Sequence, residues 1–597
     1  MALSQLTEAL GVKRAAHLLR RTCFGATKEQ IDEFASLTPQ QAMQQLFGEN
    51  PLPEPRLPID PETGSEWFLS GTTDANSDNN DLENFFLNWK IGEMLSAGVD
   101  ENLSLSYAFR EKLIFFMHTH FTTKRSKVNN SRAMYFQDAL FRMYAFDRDD
   151  RIIPPPDELT PERTVEINFR NLAKKVSVDN AMLRFLDGRL NVKDNPNENY
   201  SRELLELYTI GRGLESAIPE DPQFDGDYIF FTEEDVQQGA LVLSGFDTDF
   251  NFNNIDEDTG LPKGVVKGGT IARQHAIGTK TFSFRMDNQQ VIPDPDLTFS
   301  GLPTEESAID EISQLVDMIF DRPETPRHII RKLYRYFVYH EITEELQNTV
   351  IQELANTFIE NNYKIYPVLM ELLTSEHFYD AEAGSIDNNF GGIIKSPVDV
   401  VIGFVRTFNI PLPDSQLETE AFYQVTGDYR RSINLMGMDL YEPFEVAGYA
   451  GYHQFPLYYR SWITPNYLTN RYNFIKERVA LSATSPEDGQ IDTLGWFLNA
   501  FPISTIRNAE LLITEVAKYL LPVSDNLSFD LISDTGEITP ERLNFYFQEF
   551  LFREGLGETG EVAWNAIWDG DYNADIVSER LAFLLNAMLQ TPEYQLM

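Results

Sequence analysis

Two glutamates in the segment PNENYSRELLELYTIG, residues 196–211, lie where a helix should be apolar. At about 100° per residue, Glu203 shares an arc with Leu207 and Ile210, and Glu206 lies at the edge of the same polar strip. A carboxylate buried in such an arc must be paired, hydrogen-bonded, bound to metal or protonated. We therefore expect Glu203 to be largely buried, and both glutamates are candidate catalytic acids or bases.

Other polar residues of this segment lie away from the apolar arc. Asn197 is the predicted N-cap of the helix, and Gly211 is its predicted C-terminal stop. Glu198 and Arg202 form an i,i+4 pair of the favourable order, which predicts that both face solvent. Asn199 begins the stripe that carries the two candidate glutamates, and it is a candidate substrate-binding residue.

Two histidines end the helical segment SLSYAFREKLIFFMHTHF, which is apolar almost all round and is predicted to be a buried central helix. His118 and His120 are two residues apart, so their side chains diverge by about 200° and cannot easily share one metal ion. Two interpretations stay open. Either both are hydrogen-bonded core histidines, or one of them lines a site with Glu203 or Glu206. In the second case His118, His120 and Glu203 are the candidate ligands of a divalent metal ion.

A histidine and a lysine flank a predicted turn in RQHAIGTKTF. His275 and Lys280 would face each other across this turn, at Ile277-Gly278. With a carboxylate nearby, the pair would supply a general base and a cation that binds an anion, so both are candidate catalytic residues. A hairpin held together by hydrogen bonds explains the same residues equally well.

A long loop, residues 441–464, is dense in aromatic residues: YEPFEVAGYAGYHQFPLYYRSWIT. Tyr449 and Trp462 are predicted to border a surface cleft and are candidate substrate-binding residues, since such rings stack on sugars and other planar ligands. The alternative is that the rings of this irregular loop pack on one another.

The elements that position these residues are mainly helices. Eight Ser-Pro or Thr-Pro steps precede helical patterns, and the hydroxyl can cap the first turn while Pro occupies its first position. The steps begin at Thr38, Thr160, Thr325, Ser396, Thr464, Ser485, Thr539 and Thr591. The fold class predicted from this pattern is mainly α.

One region departs from the helical pattern. Alternation of polar and apolar residues between 246 and 284 predicts a small antiparallel β insertion in the large multi-helix body. We expect two intimately packed helical halves. The N-terminal half spans residues 1–290 and contains the insertion, and the C-terminal half spans residues 291–597.

Composition bounds the function. The chain has 597 residues and a formal net charge of −43, which argues against binding nucleic acid or anionic membranes. Its one cysteine, Cys23, excludes an intramolecular disulfide and a multi-cysteine zinc site. The first residues lack an apolar signal region, and no run of 18 apolar residues exists. These features predict no membrane insertion and a cytoplasmic protein.

Seven separated motifs occur in the order of one bacterial family. They are HLLRRTCFGAT, REKLIFFMHTHF, NPNENYSRELLELYTIG, TEEDVQQGALVLSGF, HAIGTKTF, KSPVDVVIGFVR and PFEVAGY. The chain thereby resembles the family catalogued as domain of unknown function 1800, from about His17 to the C-terminal TPEYQ. The resemblance implies a fold but little chemistry, because no biochemical activity is established for that family.

The family's polar motifs coincide with the candidate residues. Its paired histidines map to His118 and His120, and its two helix carboxylates map to the candidate glutamates. Its His-Asp-x-Gly-x-Lys turn maps to His275 and Lys280, but Ala276 stands where the family has Asp. If that Asp is an essential acid or ligand, this chain is inactive or altered.

The resemblance also implies a partner. Members resemble companions of another family, domain of unknown function 1501, which looks sulfatase- or phosphatase-like and typically carries a twin-arginine leader. A leaderless chain could leave the cell folded together with such a partner. Export is thus the alternative to a cytoplasmic location.

Two hypotheses from different classes follow. The first is a hydrolase-like enzyme, acid–base or metal-assisted, whose candidate residues converge on one pocket. The second is a non-catalytic binding or scaffold protein that accompanies the exported partner. It predicts that each carboxylate already has a cationic or backbone partner and that no cavity opens beside it.

Overall fold

The computed structural model describes residues 3–48, 52–68, 79–155, 162–217, 228–381, 390–479, 489–524, 526–531, 538–552, 560–570 and 573–597. Helices dominate these residues, and the few strands are two or three residues long. The prediction of a mainly α protein is confirmed.

The helices of the first half of the described chain are short to medium in length. They are α1 (Gly11–Cys23), α2 (Lys28–Ala35), α3 (Pro39–Phe47), α4 (Asn79–Met94), α5 (Ser104–His120), α6 (Arg125–Val128), α7 (Ser131–Ala145), α8 (Phe169–Val176), α9 (Asn180–Phe185), α10 (Asn199–Glu203) and α11 (Glu233–Val242).

The second half of the described chain continues in the same way. Its helices are α12 (Glu305–Phe320), α13 (Glu324–Phe337), α14 (Glu344–Leu346), α15 (Gln352–Glu360), α16 (Ile365–Leu373), α17 (Pro397–Thr407), α18 (Thr419–Leu435), α19 (Ala450–His453), α20 (Pro465–Arg478), α21 (Thr493–Ala500), α22 (Ile503–Arg507), α23 (Ala509–Leu520), α24 (Pro540–Leu551), α25 (Glu561–Asp569) and α26 (Ala574–Leu589).

Four of the predicted Ser-Pro and Thr-Pro steps begin helices. In each, the hydroxyl accepts a hydrogen bond from the backbone N–H three residues later, and Pro occupies the first helical position. These caps are Thr38, Ser396, Thr464 and Thr539.

Two other steps do not cap a helix. The hydroxyl of Thr325 donates to the carbonyl of Ile319, and that of Thr591 donates to Met588, so each closes the turn before it. The predictions at these two steps are wrong, because a preceding carbonyl competes for the hydroxyl. The steps at residues 160 and 485 lie outside the described residues.

Three two-stranded antiparallel sheets accompany the helices. They pair β1 (Arg151–Ile153) with β2 (Arg163–Val165), β3 (Phe246–Asp247) with β4 (Val265–Val266), and β5 (Lys280–Thr281) with β6 (Gln290–Val291). Two of them form the predicted β insertion. The strand that begins at Lys280 pairs with residues 290–291, and not across the predicted turn at Gly278.

Helix α5 lies at the centre of the N-terminal region. Every residue from Leu105 to His120 is buried. Helices α1, α3, α4, α7 and α13 pack against it. A helix that is apolar all round must be enclosed on every side, as predicted.

Contacts between the two predicted halves are direct. Helix α4 packs against α18, and α1 packs against α23. Lys112 of α5 forms a buried ion pair with Asp399 of α17. The two regions therefore share one interior, and the division at residue 290 stays a prediction.

The length and composition of the described helices bear on membrane insertion. None of them is both long enough and apolar enough to cross a membrane.

Candidate functional site

The segment that carries the candidate glutamates forms an irregular helix. It begins as α10 and continues as a π-helical turn, Leu204–Tyr208. A π-helical turn is wider than an α-helical turn, so it rotates the following side chains away from their α-helical positions. The predicted order of burial is therefore wrong. Glu206 is buried, with 8% of its surface exposed, whereas Glu203 is half-buried.

The two glutamates differ in their partners. Glu206 forms an ion pair with Arg212, whose side chain is mostly exposed. Burial, together with the nearby charge of Glu206, raises the pKa of Glu203 to about 7. A carboxyl group with such a pKa exchanges its proton near neutral pH, which is a property of general acids and bases.

The predicted surface pair on this helix exists. Arg202 Nη2 lies 3.0 Å from Glu198 Oε2, and it also lies 2.7 Å from Glu233 Oε1 on α11. Both members of the pair are half-buried rather than fully exposed, because α11 packs against α10.

The end of the segment matches its predicted role, but its start does not: the N-cap residue of α10 is Glu198 and not Asn197, because the first helical hydrogen bond is accepted by the carbonyl of Glu198. The side chain of Asn197 accepts a hydrogen bond from the backbone of Asn199 at 3.0 Å, and the side chain of Asn199 is exposed. Gly211 ends the helix with a φ of +76°, and its N–H donates to the carbonyl of Leu205 at 2.9 Å.

His118 is a core residue surrounded by aromatic rings. It is fully buried, and its ring centre lies 4.1 Å from that of Tyr441. Neither ring nitrogen contacts a hydrogen-bond partner among the described residues. Burial lowers the pKa of His118 to about 3, so the ring is neutral at physiological pH.

His120 caps the π-helical turn. Its Nε2 donates to the carbonyl of Tyr208 at 2.8 Å. His328 and Lys332 of α13 donate to the carbonyl of Leu207, at 2.9 and 2.8 Å. Carbonyls at the end of a helix lack partners within the helix, so these side chains satisfy buried acceptors. The position of His120 supports its interpretation as a hydrogen-bonded core residue.

The candidate metal ligands do not converge. His118, His120 and Glu203 lie in three separate environments, because the histidines project from different sides of α5. Over the described ranges, no group of three or more His, Cys, Asp or Glu side chains could hold a metal ion.

The predicted pair in the turn does converge, on a glutamate that the sequence analysis missed. His275 Nε2 lies 3.2 Å from Glu311 Oε1, and Lys280 forms an ion pair with the other oxygen of Glu311. His275 Nδ1 lies 2.8 Å from the carbonyl of Ser244, and Lys280 also donates to the carbonyl of Ala276 at 2.8 Å.

This cluster of His275, Lys280 and Glu311 is closed. All three side chains are buried, and burial lowers the pKa of Lys280 although Glu311 opposes the shift. Each charge has a partner, which is the arrangement that the scaffold hypothesis predicts. The sequence could have identified Glu311, because it is a carboxylate within the apolar stripe of α12, EESAIDEISQLVDMIF.

The aromatic loop packs on itself. Tyr449 and Trp462 are buried, with 5% and 4% of their surfaces exposed, so the prediction that they border a surface cleft is wrong. Tyr449 donates to the carbonyl of Asp439 at 2.8 Å. A Cβ atom on Gly451 would lie 2.2 Å from the Trp462 ring, so the glycine lets the chain lie against the indole. The rings exclude water more effectively by covering one another.

A cavity of about 750 Å³ opens instead beside α3, α4, α5 and α7. We call it the arginine cavity, because four arginines line it. These are Arg110, Arg142, Arg148 and Arg151. Aromatic and apolar residues form much of the remaining wall, among them Phe47, Trp89, Tyr135, Met143, Phe146, Ile167 and Leu261. Its volume lies within the range typical of small-molecule sites.

Arg110 is the arginine best placed to receive a ligand. Only 6% of its surface is exposed, and it lies over the ring of Tyr107. Its Nη2 donates to the carbonyl of Pro53 at 2.9 Å. No acceptor among the described residues contacts its Nη1, so a buried cation in the cavity wall keeps donor capacity for a ligand.

A buried ion cluster lies behind this wall. Lys90 of α4 lies 2.7 Å from Glu111 and 2.6 Å from Asp138, and Arg142 contacts the same two carboxylates. Burial opposes ionisation of Glu111, but Arg142 and Lys90 hold its pKa below the usual value. The cluster is balanced, so Arg142 is held rigidly where it lines the cavity.

A second carboxyl group borders the ion cluster. Burial raises the pKa of Glu93 to about 7, and the nearby charge of Arg142 opposes the shift. Tyr107, the residue beneath Arg110, donates a hydrogen bond to Glu93. The ring beneath the cavity's buried arginine is thus fixed by a hydrogen bond.

The charge of the arginine cavity wall is opposite in sign to the net charge of the chain. The chain has 92 acidic and 49 basic residues, yet four arginines and only three carboxylates line this cavity. Asp138 belongs to the ion cluster and Asp149 is paired with Arg148. The arrangement can bind an anion that has an apolar body.

Sequence reasoning missed this cavity, although a signal was present. Lys90 interrupts the apolar run of α4, Glu111 that of α5, and Asp138 that of α7. Charged residues inside each of three largely apolar helices indicate a shared ion cluster, because no charge could be buried there alone.

Fold and site together define a mainly α-helical protein with an arginine-lined cavity above a buried ion cluster. The chain belongs to the family described as Protein of unknown function (DUF1800), whose sequence profile matches residues 17–596. The resemblance expected from the motifs is confirmed. Searches of curated proteins and of solved structures find no match.

Proposed function

We propose that this protein binds a small anionic molecule with an apolar body in the arginine cavity. The observation that carries the proposal is Arg110, a buried guanidinium in the wall with donors that no described residue accepts. A carboxylate or phosphate group would supply the missing acceptors in a site shielded from water, where charge-assisted hydrogen bonds are strong.

The apolar wall supports a ligand that is not a bare ion. Trp89 donates its indole N–H to the carbonyl of Arg56 at 2.7 Å, which fixes the ring. Tyr135 stacks on Phe68 with ring centres 3.8 Å apart. These rings are held by other residues before any ligand arrives, so they would order a ligand at little entropic cost.

Phenyl phosphate, which joins a dianion to an aromatic ring, is a suitable probe. We expect isothermal titration calorimetry to show binding that is tighter than that of inorganic phosphate, while phenol does not bind. The substitution Arg110→Met keeps the apolar stem and removes the charge. It should weaken binding of phenyl phosphate about tenfold to a hundredfold, as expected for the loss of a charged hydrogen bond.

Arg132→Met is the matched control. Arg132 is also 6% exposed, donates to one backbone carbonyl at 3.1 Å and lies over an aromatic ring, but it does not line the cavity. This control should leave binding unchanged. Equal effects of the two substitutions, or no binding of phenyl phosphate at all, would contradict the proposal.

A second candidate function is the hydrolase-like enzyme that the sequence predicts. The observation that favours it is Glu203, half-buried and with a pKa raised to about 7 by burial and by Glu206. Such a carboxyl group suits acid–base chemistry near neutral pH. The variant that tests this function is Glu203→Gln.

The exported partner implied by the family resemblance also stays a proposal, and so does the protein's location. The closed cluster around Glu311 fits a non-catalytic companion, since its charges are already paired. Co-purification from cells that express both chains would test the association with a sulfatase- or phosphatase-like protein.

A further inference from the structure

A second cavity, of about 340 Å³, shares no wall residue with the arginine cavity. Four segments meet there: the start of α2, the turn before α5, the turn that follows α17, and α21 with the residues that precede it. Its volume is at the lower end of the range for small-molecule sites. We call it the α21 cavity.

The polar residues of the α21 cavity differ in kind from those of the arginine cavity. No Lys, Arg or His lines it. Its wall carries the carboxylates of Glu29, Glu101 and Asp492, together with hydroxyl and amide groups. Asp492 Oδ1 accepts from the N–H of Gly495 at 2.9 Å, which fixes the orientation of this carboxylate.

Three amide side chains line the wall, and two of them, Asn409 and Asn499, offer donors to a ligand. Asn409 lies in the turn after α17 with a φ of +47°, and Asn499 is exposed on α21. No side-chain hydrogen bond ties either amide to another described residue, so each can donate to and accept from a ligand.

An aromatic ring completes the cavity. Trp496 is half-buried and is held by rings on three sides. Its ring centre lies 5.0 Å from that of Phe408, 4.9 Å from Phe497 and 5.8 Å from Phe501, all at steep angles. The indole is therefore a fixed apolar surface beside carboxylates and amides.

We propose that the α21 cavity binds a neutral carbohydrate unit. Sugar hydroxyls both donate and accept, so they match a wall of carboxylates, amides and hydroxyls, and the apolar face of a sugar ring packs on an indole. An anionic ligand would meet three carboxylates and no cation. A simple organic cation only donates, so it could not accept hydrogen bonds from the exposed amides of Asn409 and Asn499, which would stay bound to water.

A defined panel of neutral oligosaccharides tests the proposal on the full chain. The panel contains gluco-, manno-, galacto- and xylo-configured disaccharides and tetrasaccharides, and binding is read by saturation-transfer NMR and titration calorimetry. We expect at least one member to bind. Trp496→Ala should weaken it roughly tenfold, as expected for the loss of a stacking ring. Trp568→Ala, a half-buried tryptophan outside this cavity, should not.

Two further variants keep the test decisive if Trp496→Ala does not fold. Asn499→Ala removes an exposed amide and should also weaken sugar binding. Gly495→Ala places a Cβ atom 2.2 Å from Asp492 Oδ2 and should displace that carboxylate, with the same result. Failure of the whole panel to bind, or sugar binding that none of these variants weakens, overturns the proposal. Spermidine binding that is lost in the same variants, without any sugar binding, overturns it in favour of an organic cation.

The substitution Arg110→Met should leave sugar binding unchanged, because that residue lines only the arginine cavity. The two binding proposals therefore succeed or fail independently.

Discussion

Glu203 holds its proton more tightly in the folded protein than in the unfolded chain. Burial and the charge of Glu206 raise its pKa from the usual value near 4.5 to about 7. The folded state therefore binds more protons than the unfolded state between these two values. Stability contributed by this group is present at low pH and is lost as the pH rises through about 7.

The substitution Glu203→Gln should reverse that loss. The variant should match the wild type in stability below about pH 4.5. Above pH 7 it should be more stable by about 1 kcal/mol, a small gain because partial exposure of Glu203 reduces the cost of its ionisation. Urea unfolding at several pH values measures the difference. If Glu203 is catalytic, the same variant should also lose hydrolytic activity on nitrophenyl ester, phosphate and sulfate substrates.

Glu198→Gln is the control on the same helix. Glu198 belongs to a partly exposed ion pair, so its loss should change stability by no more than about 0.5 kcal/mol. If the stability of the wild type and that of Glu203→Gln differed by the same amount at every pH between 4.5 and 7, the raised pKa of Glu203 would be contradicted.

At the scale of elements, the π-helical turn after α10 decides the orientation of the candidate glutamates. The helical segment that contains this turn ends at Gly211, whose positive φ favours glycine. A Cβ atom at this position would also lie 2.3 Å from the His328 ring. That ring caps the turn, so the end of the helix and its cap are packed against each other.

The substitution Gly211→Ala should therefore be costly. The positive φ and the clash together should lower the free energy of unfolding by about 3 kcal/mol, as measured by denaturant titration. Gly278→Ala is the matched control, because Gly278 has a φ of +89° but open space around its Cβ position. It should cost only about 1 kcal/mol. Equal costs would show that the contact with His328 does not constrain the turn.

At the scale of the whole molecule, negative charge dominates. The formal net charge is −43, and few of the acidic residues in the described part of the chain are buried. Like charges repel one another across a folded surface and destabilise the compact state, and dissolved salt screens this repulsion. The arginine cavity is an exception, because arginines outnumber carboxylates in its wall. The negative surface repels anions at a distance, so the cavity would attract an anion only at short range.

Salt should therefore stabilise the protein. The melting temperature should rise between about 0.01 M and about 0.15 M NaCl, where the screening length falls from roughly 30 Å to about 8 Å. Differential scanning fluorimetry measures the change, and choline chloride should act like NaCl. Near pH 4.5, the isoelectric point of the sequence, the effect should vanish. A melting temperature that falls with salt would mean that surface ion pairs outweigh the repulsion.

Local patterns were sufficient to predict the helical class, the β insertion and several helix starts. Caps such as Thr38 and Ser396 depend on neighbouring residues alone, and the burial of α5 follows from the apolar residues that lie on almost every side of it. For His275 and Lys280 the sequence left two interpretations open, a catalytic pair beside a carboxylate or a hydrogen-bonded hairpin, and the structure places a carboxylate beside them. The identity of that carboxylate, Glu311, depends on how α12 packs against the strands, which no local pattern contains.

The sequence by itself determined which elements form, because caps, turn residues and apolar periodicity act over a few residues. Only the tertiary structure decided where cavities open and which charges meet. Arg110, Asp138 and Trp89 come from three helices, and their convergence depends on the crossing of those helices. The π-helical turn is also a tertiary outcome, since His120 and two residues of α13 satisfy its free carbonyls. Contacts between residues far apart in the sequence thus bring the cavity residues together, and interactions between neighbouring residues cannot do so.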